Sequence, residues 1–157
     1  MEKLIIFGAK YLIYVLIIIA IIFFLRQQRK RRKEILIFAI ITLPLAYVVA
    51  KLASFFYFNP RPFVAEHFVP LIAHDADNGF PSDHTLLSSA IAASVYVFNK
   101  KWGVALFILA VLIGAARVLA GVHHAVDIVG ALIISALAAW AVARWIFHKV
   151  IYKIALK

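Results

Sequence analysis

Three short polar stretches hold the residues whose types and spacing suit chemistry. In "ARVLAGVHHAVD", Arg117, His123 and Asp127 stand six and four positions apart. Residues four apart share one helical face, so the Asp127 carboxylate can accept from one ring nitrogen of His123, set its tautomer and stabilise its cation. The other nitrogen stays available as base or nucleophile. Earlier in the chain, "PSDHT" supplies Ser82, Asp83 and His84, and "NPRPF" supplies Arg61. Guanidinium forks match phosphate oxygens two at a time, and of two histidines one can attack phosphorus while the second protonates the leaving oxygen. Phosphoryl transfer through a phosphohistidine, with neither metal nor organic cofactor, is the chemistry these residues point to.

The elements that must position them are lipid-embedded helices. Of 157 residues, 66% are hydrophobic and 15% charged, and the mean hydropathy is +0.99. A soluble domain holds nearer half apolar residues. The expected fold is therefore all-α, a polytopic membrane helical bundle in one domain over residues 1–157. The absence of cysteine excludes disulfides, thiolate metal sites and a Cys nucleophile. Met1-Glu2-Lys3 runs straight into an apolar segment without a basic n-region or small-residue cleavage site, so the N-terminus reads as retained.

Apolar runs predict about five crossings: Leu4–Leu25, Ile35–Tyr57, Asp83–Phe98, Trp102 to about Ala120, and about Ala125 to Phe147. Lys10 reads as snorkelling to the headgroups and Pro44 as a kink in the second helix. The run "RQQRKRRKE", residues 26–34, is expected as a cytoplasmic loop touching anionic lipid. Both its flanks enter the membrane, which argues against nucleic acid as the partner. Twelve of the 17 Lys and Arg, among them Lys100, Lys101, Arg144, Lys149, Lys153 and Lys157, then share one side. By the positive-inside rule the N-terminus is out, the C-terminus is in, and all three polar stretches meet at the outer membrane–water interface.

Residues 58–82 form the only long loop, and loops of that length are usually functional. Pro81 fits a helix entry and Ser82 or Asp83 can cap it, so the first N–H groups and the positive dipole end point outward as an anion site. Gly121 lets the chain turn between Arg117 and His123. A third helix of 16 residues is about 24 Å long, which puts its outer end near the headgroup layer, where an amphiphile carries its phosphate. His74 and Asp77 are candidates to hold the loop or a distal phosphate. His67, His148, Glu66 and Asp75 read as solvated, and His124 as packing at a helix start. His67, His74, Asp75 and Asp77 include ligand types for a divalent cation, but the chemistry above works without one.

Taken together, the stretches resemble the type-2 phosphatidic acid phosphatase superfamily, whose motifs are K-x6-RP, PSGH and SR-x5-H-x3-D. Here they read "KLASFFYFNPRP", "PSDH" and "AR-x5-H-x3-D", spread from Lys51 to Asp127. The resemblance implies His123 as nucleophile, Asp127 as its orienting partner and His84 as general acid. It implies a phosphate clamp of Arg61, Ser82 and Arg117, with Lys51 and Asp83 at neighbouring motif positions. Lys51 precedes Arg61 by ten positions where the pattern has seven, Ala116 replaces the motif serine, and Asp83 replaces the motif glycine. Two spans precede the first motif, where six-helix members have three.

The forms "NPRPF", "NGFPSDHT" and "ARVLAGVHHAVD" are similar to the bacterial undecaprenyl-diphosphate phosphatase branch. That implies undecaprenyl diphosphate as substrate on the extracytoplasmic face of a bacterial-type cytoplasmic membrane. Phosphatidate, phosphatidylglycerol phosphate and lipid A 1-phosphate are the other lipid phosphates in view. The expected partners are such a lipid phosphate and the surrounding membrane lipids, with no nucleic acid and no obligate protein partner. A transport or sensor protein that binds a lipid phosphate without turnover is the competing class. It needs the arginines but has no use for a His123–Asp127 pair.

Overall fold

In lipid every backbone N–H and C=O must find a partner within its own segment, so long apolar runs fold as helices. The computed structural model describes residues 1–147; His148, Lys149, Lys153 and Lys157 lie outside the described residues. The helices are α1 (Glu2–Lys10), α2 (Leu12–Leu25), α3 (Arg29–Phe56), α4 (Pro62–Ala65), α5 (Asp83–Phe98), α6 (Lys100–Leu119) and α7 (Ala125–Ala141), followed by a π-helical turn, Val142–Phe147. Among the described residues no strand forms; Pro60 and Asn78 make one isolated antiparallel bridge.

Three helical stretches, Arg29–Phe56, Lys100–Leu119 and Ala125–Trp145, are long and apolar enough to cross a membrane. A fourth crossing is available to α1 and α2 together, which are bent by 48° at their junction. The expected first helix is therefore broken at Tyr11 rather than continuous. The remaining expected crossing, α5, has 16 residues and is short for a lone span, but α2, α3, α6 and α7 all pack around it. The surface is that of a protein whose solvent is lipid: Ile18, Ile40, Leu112, Ile133 and Leu137 are all exposed.

Small side chains let α5 occupy the centre. Its buried face includes Ser88, Ser89, Ala92, Ala93 and Ser94. Each hydroxyl is satisfied locally: Ser88 donates to the His84 carbonyl at 2.7 Å, Ser89 to the Thr85 carbonyl at 2.6 Å and Ser94 to the Ala90 carbonyl at 2.8 Å. Ser89 and Ser135 join α5 to α7 at 2.8 Å. Close backbone approach with hydroxyl cross-links is how helices associate when lipid removes the hydrophobic drive.

One boundary differs from expectation. The basic run is not a loop throughout: from Arg29 onward it forms the first turns of α3, with Gln28 at the N-cap. Arg and Lys are good helix formers. Arg32 turns back to donate to the Gln27 carbonyl at 2.8 Å and the Leu25 carbonyl at 2.7 Å, satisfying the open end of α2. Helix α3 also continues as one element through Pro44. At this end Arg31 reaches the Phe98 carbonyl, so the basic run sits at the end of the bundle opposite Ser82 and His84.

Candidate active site

At the other end, the loop between α3 and α5 is pinned at several points. Asn78 is its hub. Its side-chain oxygen accepts from the N–H groups of Asn59 and Phe80, and its amide donates to the carbonyls of Ser54 and Tyr57 and to the Ser54 hydroxyl. The Phe80 ring stands edge-on to Tyr57 at 4.9 Å and packs on Gly130 of α7, where a Cβ would meet the ring at 2.3 Å. Leu71 donates to the Ala120 carbonyl at 3.0 Å, and Ile72 is buried with Ala9, Ala120 and Val122. Gly121 makes the α6–α7 turn at φ +78°, a conformation that suits glycine.

This scaffold brings Arg61, Arg117, His123 and Asp127 together, all at most 3% exposed. Asp127 is held from three sides. It accepts from the Asn59 amide at 2.7 Å, from the His124 backbone N–H at 2.9 Å and from His123 Nδ1 at 3.2 Å. On the far side of the His123 ring, Nε2 lies 3.3 Å from Arg61 Nη1 and 3.5 Å from Arg117 Nη2. A guanidinium has no acceptor, and Asp127 offers a carboxylate that can only accept. The proton therefore belongs on Nδ1 and the lone pair on Nε2. Burial, reinforced by Arg117 and Arg61 and opposed by the Asp127 hydrogen bond, holds the His123 pKa below the usual imidazole range. The ring is neutral and its free nitrogen faces the two cations.

The arginines are themselves positioned. Arg61 donates from Nε to Asp77 at 2.7 Å and from Nη1 to the Val122 carbonyl at 2.8 Å. The Asp77 carboxyl loses some solvation, but the hydrogen bond and charge of Arg61 outweigh this and hold its pKa below the usual range. Arg117 donates to the Ala9 carbonyl at 3.5 Å, while its buried Nε makes no hydrogen bond. A buried guanidinium donor left free in this way suits an anion. Helix α1 thus touches the site, and Ala116 allows it: a Cβ on Gly8 would lie 2.8 Å from the Ala116 Cβ, so the two helices meet where the motif serine would stand.

The remaining expected residues are distributed unevenly. His84 lies in the first turn of α5, half-buried beside this group. Ser82 is the N-cap by backbone position, but its side chain makes no capping bond; its hydroxyl accepts from Thr85 at 3.3 Å and its N–H donates to the Asp127 carbonyl at 3.2 Å. Asp83 is exposed and lines a groove with Leu43, Ala46 and Tyr47. Lys51 is exposed on α3, its ammonium 5.1 Å from the Tyr47 ring centre. Neither Asp83 nor Lys51 hydrogen-bonds to the His123–arginine group. His124 bonds the Pro60 carbonyl at 3.1 Å and begins α7, the packing role expected of it.

His67, Glu66 and Asp75 are exposed, and no group of three or more metal-ligand side chains gathers among the described residues. An open cavity of about 630 Å³ abuts the α6–α7 turn, but Glu2 and Glu66 in its wall disfavour a phosphate. Asn59, Asp77 and the carbonyls of Ala9 and Val122 complete the site. Of these only Asp77 carried a sequence signal, as a charged residue in the functional loop.

Residues 35–151 match the PAP2 superfamily. The chain belongs to it. Among curated PAP2-like relatives, it is 42% identical over 88 residues to undecaprenyl-diphosphatase BcrC of Bacillus subtilis (strain 168), covering 56% of this chain and 46% of the relative. It is 35% identical over 104 residues to the bacitracin transport permease protein BcrC of Bacillus licheniformis, covering 66% and 51%. It is 32% identical over 101 residues to an undecaprenyl-diphosphatase of Sulfolobus acidocaldarius, covering 64% and 42%. The chain spans about half the length of the curated relatives it matches.

Proposed function

We propose that this PAP2 chain is a membrane phosphatase that hydrolyses undecaprenyl diphosphate to the monophosphate, with His123 as the covalent carrier. The observation behind this reading is the His123 ring, tied at Nδ1 to a carboxylate and presenting Nε2 between two guanidiniums. In the first step Nε2 forms a bond to the terminal phosphorus. The P–O bond to the lipid monophosphate breaks, and His84 gives its proton to the departing oxygen. The imidazolium character that develops on His123 is stabilised by Asp127. In the second step a water attacks the phosphohistidine, His84 takes its proton, and orthophosphate leaves as the N–P bond breaks.

Arg61, Arg117 and the first N–H groups of α5 stabilise the equatorial oxygens, as positioned donors do in phosphoryl transfer. These donors supply the charge stabilisation, so no step requires a divalent cation. The groove between α3 and α5, about 220 Å³ and lined by Leu43, Ala46, Leu86 and Leu87, gives an isoprenoid chain an apolar path from the site. The basic residues at the opposite end favour that end as cytoplasmic, which supports a reaction on the extracytoplasmic face of a bacterial-type inner membrane.

The test is phosphate release by purified protein in detergent from undecaprenyl diphosphate, phosphatidate and lipid A 1-phosphate, each with EDTA. Turnover is expected on the diphosphate and fastest there, and His123→Ala is expected to abolish it with expression intact. Full activity of that variant, or strict metal dependence, would overturn the mechanism. The name of the Bacillus licheniformis relative speaks of transport; a carrier would bind the anion and release no phosphate in the same assay.

A further inference from the structure

Beside the His123 group stands a third imidazole that the reaction above does not use. His74 lies in the loop between α4 and α5, its ring perpendicular to that of His123 with centres 6.1 Å apart. It sits within the fields of Arg61, Arg117 and His123. Its Nδ1 is buried and makes no hydrogen bond of good geometry; the one backbone group that acts on the ring is that of Asp75, next to it in the chain. Burying a ring nitrogen without a partner is costly in a site that needs nothing from it.

His74 is not what fixes its own loop. Leu71 and Ile72 anchor one side of it, and the Pro60–Asn78 bridge with the Asn78 amide anchors the other. The side chain is instead delivered into the site by a segment secured at both ends. Its surroundings there are two arginines and two other histidines, with Asp77 already committed to Arg61. Such surroundings disfavour a cation and favour an anion, to which a neutral imidazole N–H can donate.

The places around the transferred phosphorus are already filled. An in-line displacement has an entering atom, a leaving atom and three equatorial oxygens. On the reading proposed above, His123 and His84 serve the first two, and Arg61, Arg117 and the α5 N-terminus serve the others. A further donor set to one side of that group, 6.1 Å ring to ring from His123, is placed to reach a second phosphate. We infer that His74 binds the non-transferred phosphate of a diphosphate substrate and so separates diphosphates from monophosphates. This rests on the proposed function, because it takes the axial roles of His123 and His84 from it.

The experiment measures binding rather than turnover. Calorimetric titration of the detergent-solubilised chain with inorganic pyrophosphate and with orthophosphate is compared for wild type, His74→Ala and His74→Gln. Both variants are expected to lose pyrophosphate affinity by about tenfold or more, the effect of one hydrogen bond to a charged group. Orthophosphate affinity should stay within about twofold, and thermal unfolding should be unchanged. Equal weakening of both anions, or of neither, overturns the assignment. If wild type binds neither anion, the phosphate site itself falls with it. If wild type and variants bind pyrophosphate alike, only the role of His74 falls.

Discussion

Asp127 is the residue through which the site is assembled. Its two oxygens take hydrogen bonds from Asn59, His124 and His123, so the orientation of the His123 ring depends on a side chain, Asn59, that lies 68 positions from Asp127 in sequence. Asn59→Ala should lower kcat about tenfold or more, the value of one hydrogen bond to a charged group, with expression intact and KM little changed. Asn59→Asp should do more harm by setting carboxylate against carboxylate. Steady-state kinetics on a polyprenyl diphosphate checks both.

The pH dependence follows from His123. On the proposed mechanism its neutral form is the nucleophile, and burial with Arg117 and Arg61 holds its pKa low. That pKa therefore sets the acid limb of the profile: activity falls as pH drops through it, at a pH below the usual imidazole range. Arg61→Gln removes one opposing charge, so the ring takes up its proton more readily. The acid limb of kcat/KM should then move to higher pH; movement to lower pH would count against the assignment. The His123–Asp127 pair was legible from its spacing of four, although His123 stands just before α7 and the contact forms across the helix start rather than along one helical face. Asn59 was not, because nothing local in "NPRPF" says which carboxylate its amide will meet.

Helix boundaries show the same division between near and far causes. The apolar runs mark α3, α6 and α7 because hydropathy is a local property. The break at Tyr11 has no proline or glycine beside it. It falls just after the Ala9 carbonyl, which Arg117 engages from 108 positions away. Basic residues were legible as an end of the bundle but not as helix, since Arg32 finds its acceptors only once α2 has ended. The α6–α7 turn was legible through Gly121. There Gly121→Val would meet both the positive φ and the Phe68 ring, 2.6 Å from a Cβ. We expect it to destabilise the protein by about 1–3 kcal/mol, read as a lower unfolding midpoint with a matching loss of turnover.

At the scale of the molecule, the centre is small and hydroxyl-bearing while the periphery is large and apolar, the reverse of a water-soluble bundle. Composition announces this reversal, and with it the fold class. It does not announce which helix is central; α5 looks like the weakest span in the sequence because it is the shortest and carries the most serine. With lipid as solvent, the substrate's tail should dominate its binding. A short-chain prenyl diphosphate is expected to show a KM at least about tenfold above that of undecaprenyl diphosphate, since each buried methylene contributes about 0.8 kcal/mol. Equal KM values in the same detergent would remove the tail from recognition.

Helices α5 and α6 start from the same basic end and differ by four residues, 16 against 20. At 1.5 Å per residue, the N-terminus of α5 stops about 6 Å short of the level its neighbour reaches. On the proposed function, a phosphate that meets His84 would lie roughly one helical turn below the far end of α6 and give up part of its hydration shell to reach it. The arginines and open N–H groups act there as a substitute for that shell, fixed in place before the anion arrives. The recess makes dehydration part of substrate selection: a lipid anchor offsets the cost of leaving water, so an anchored anion should fill the site at lower concentration than a free anion of the same charge.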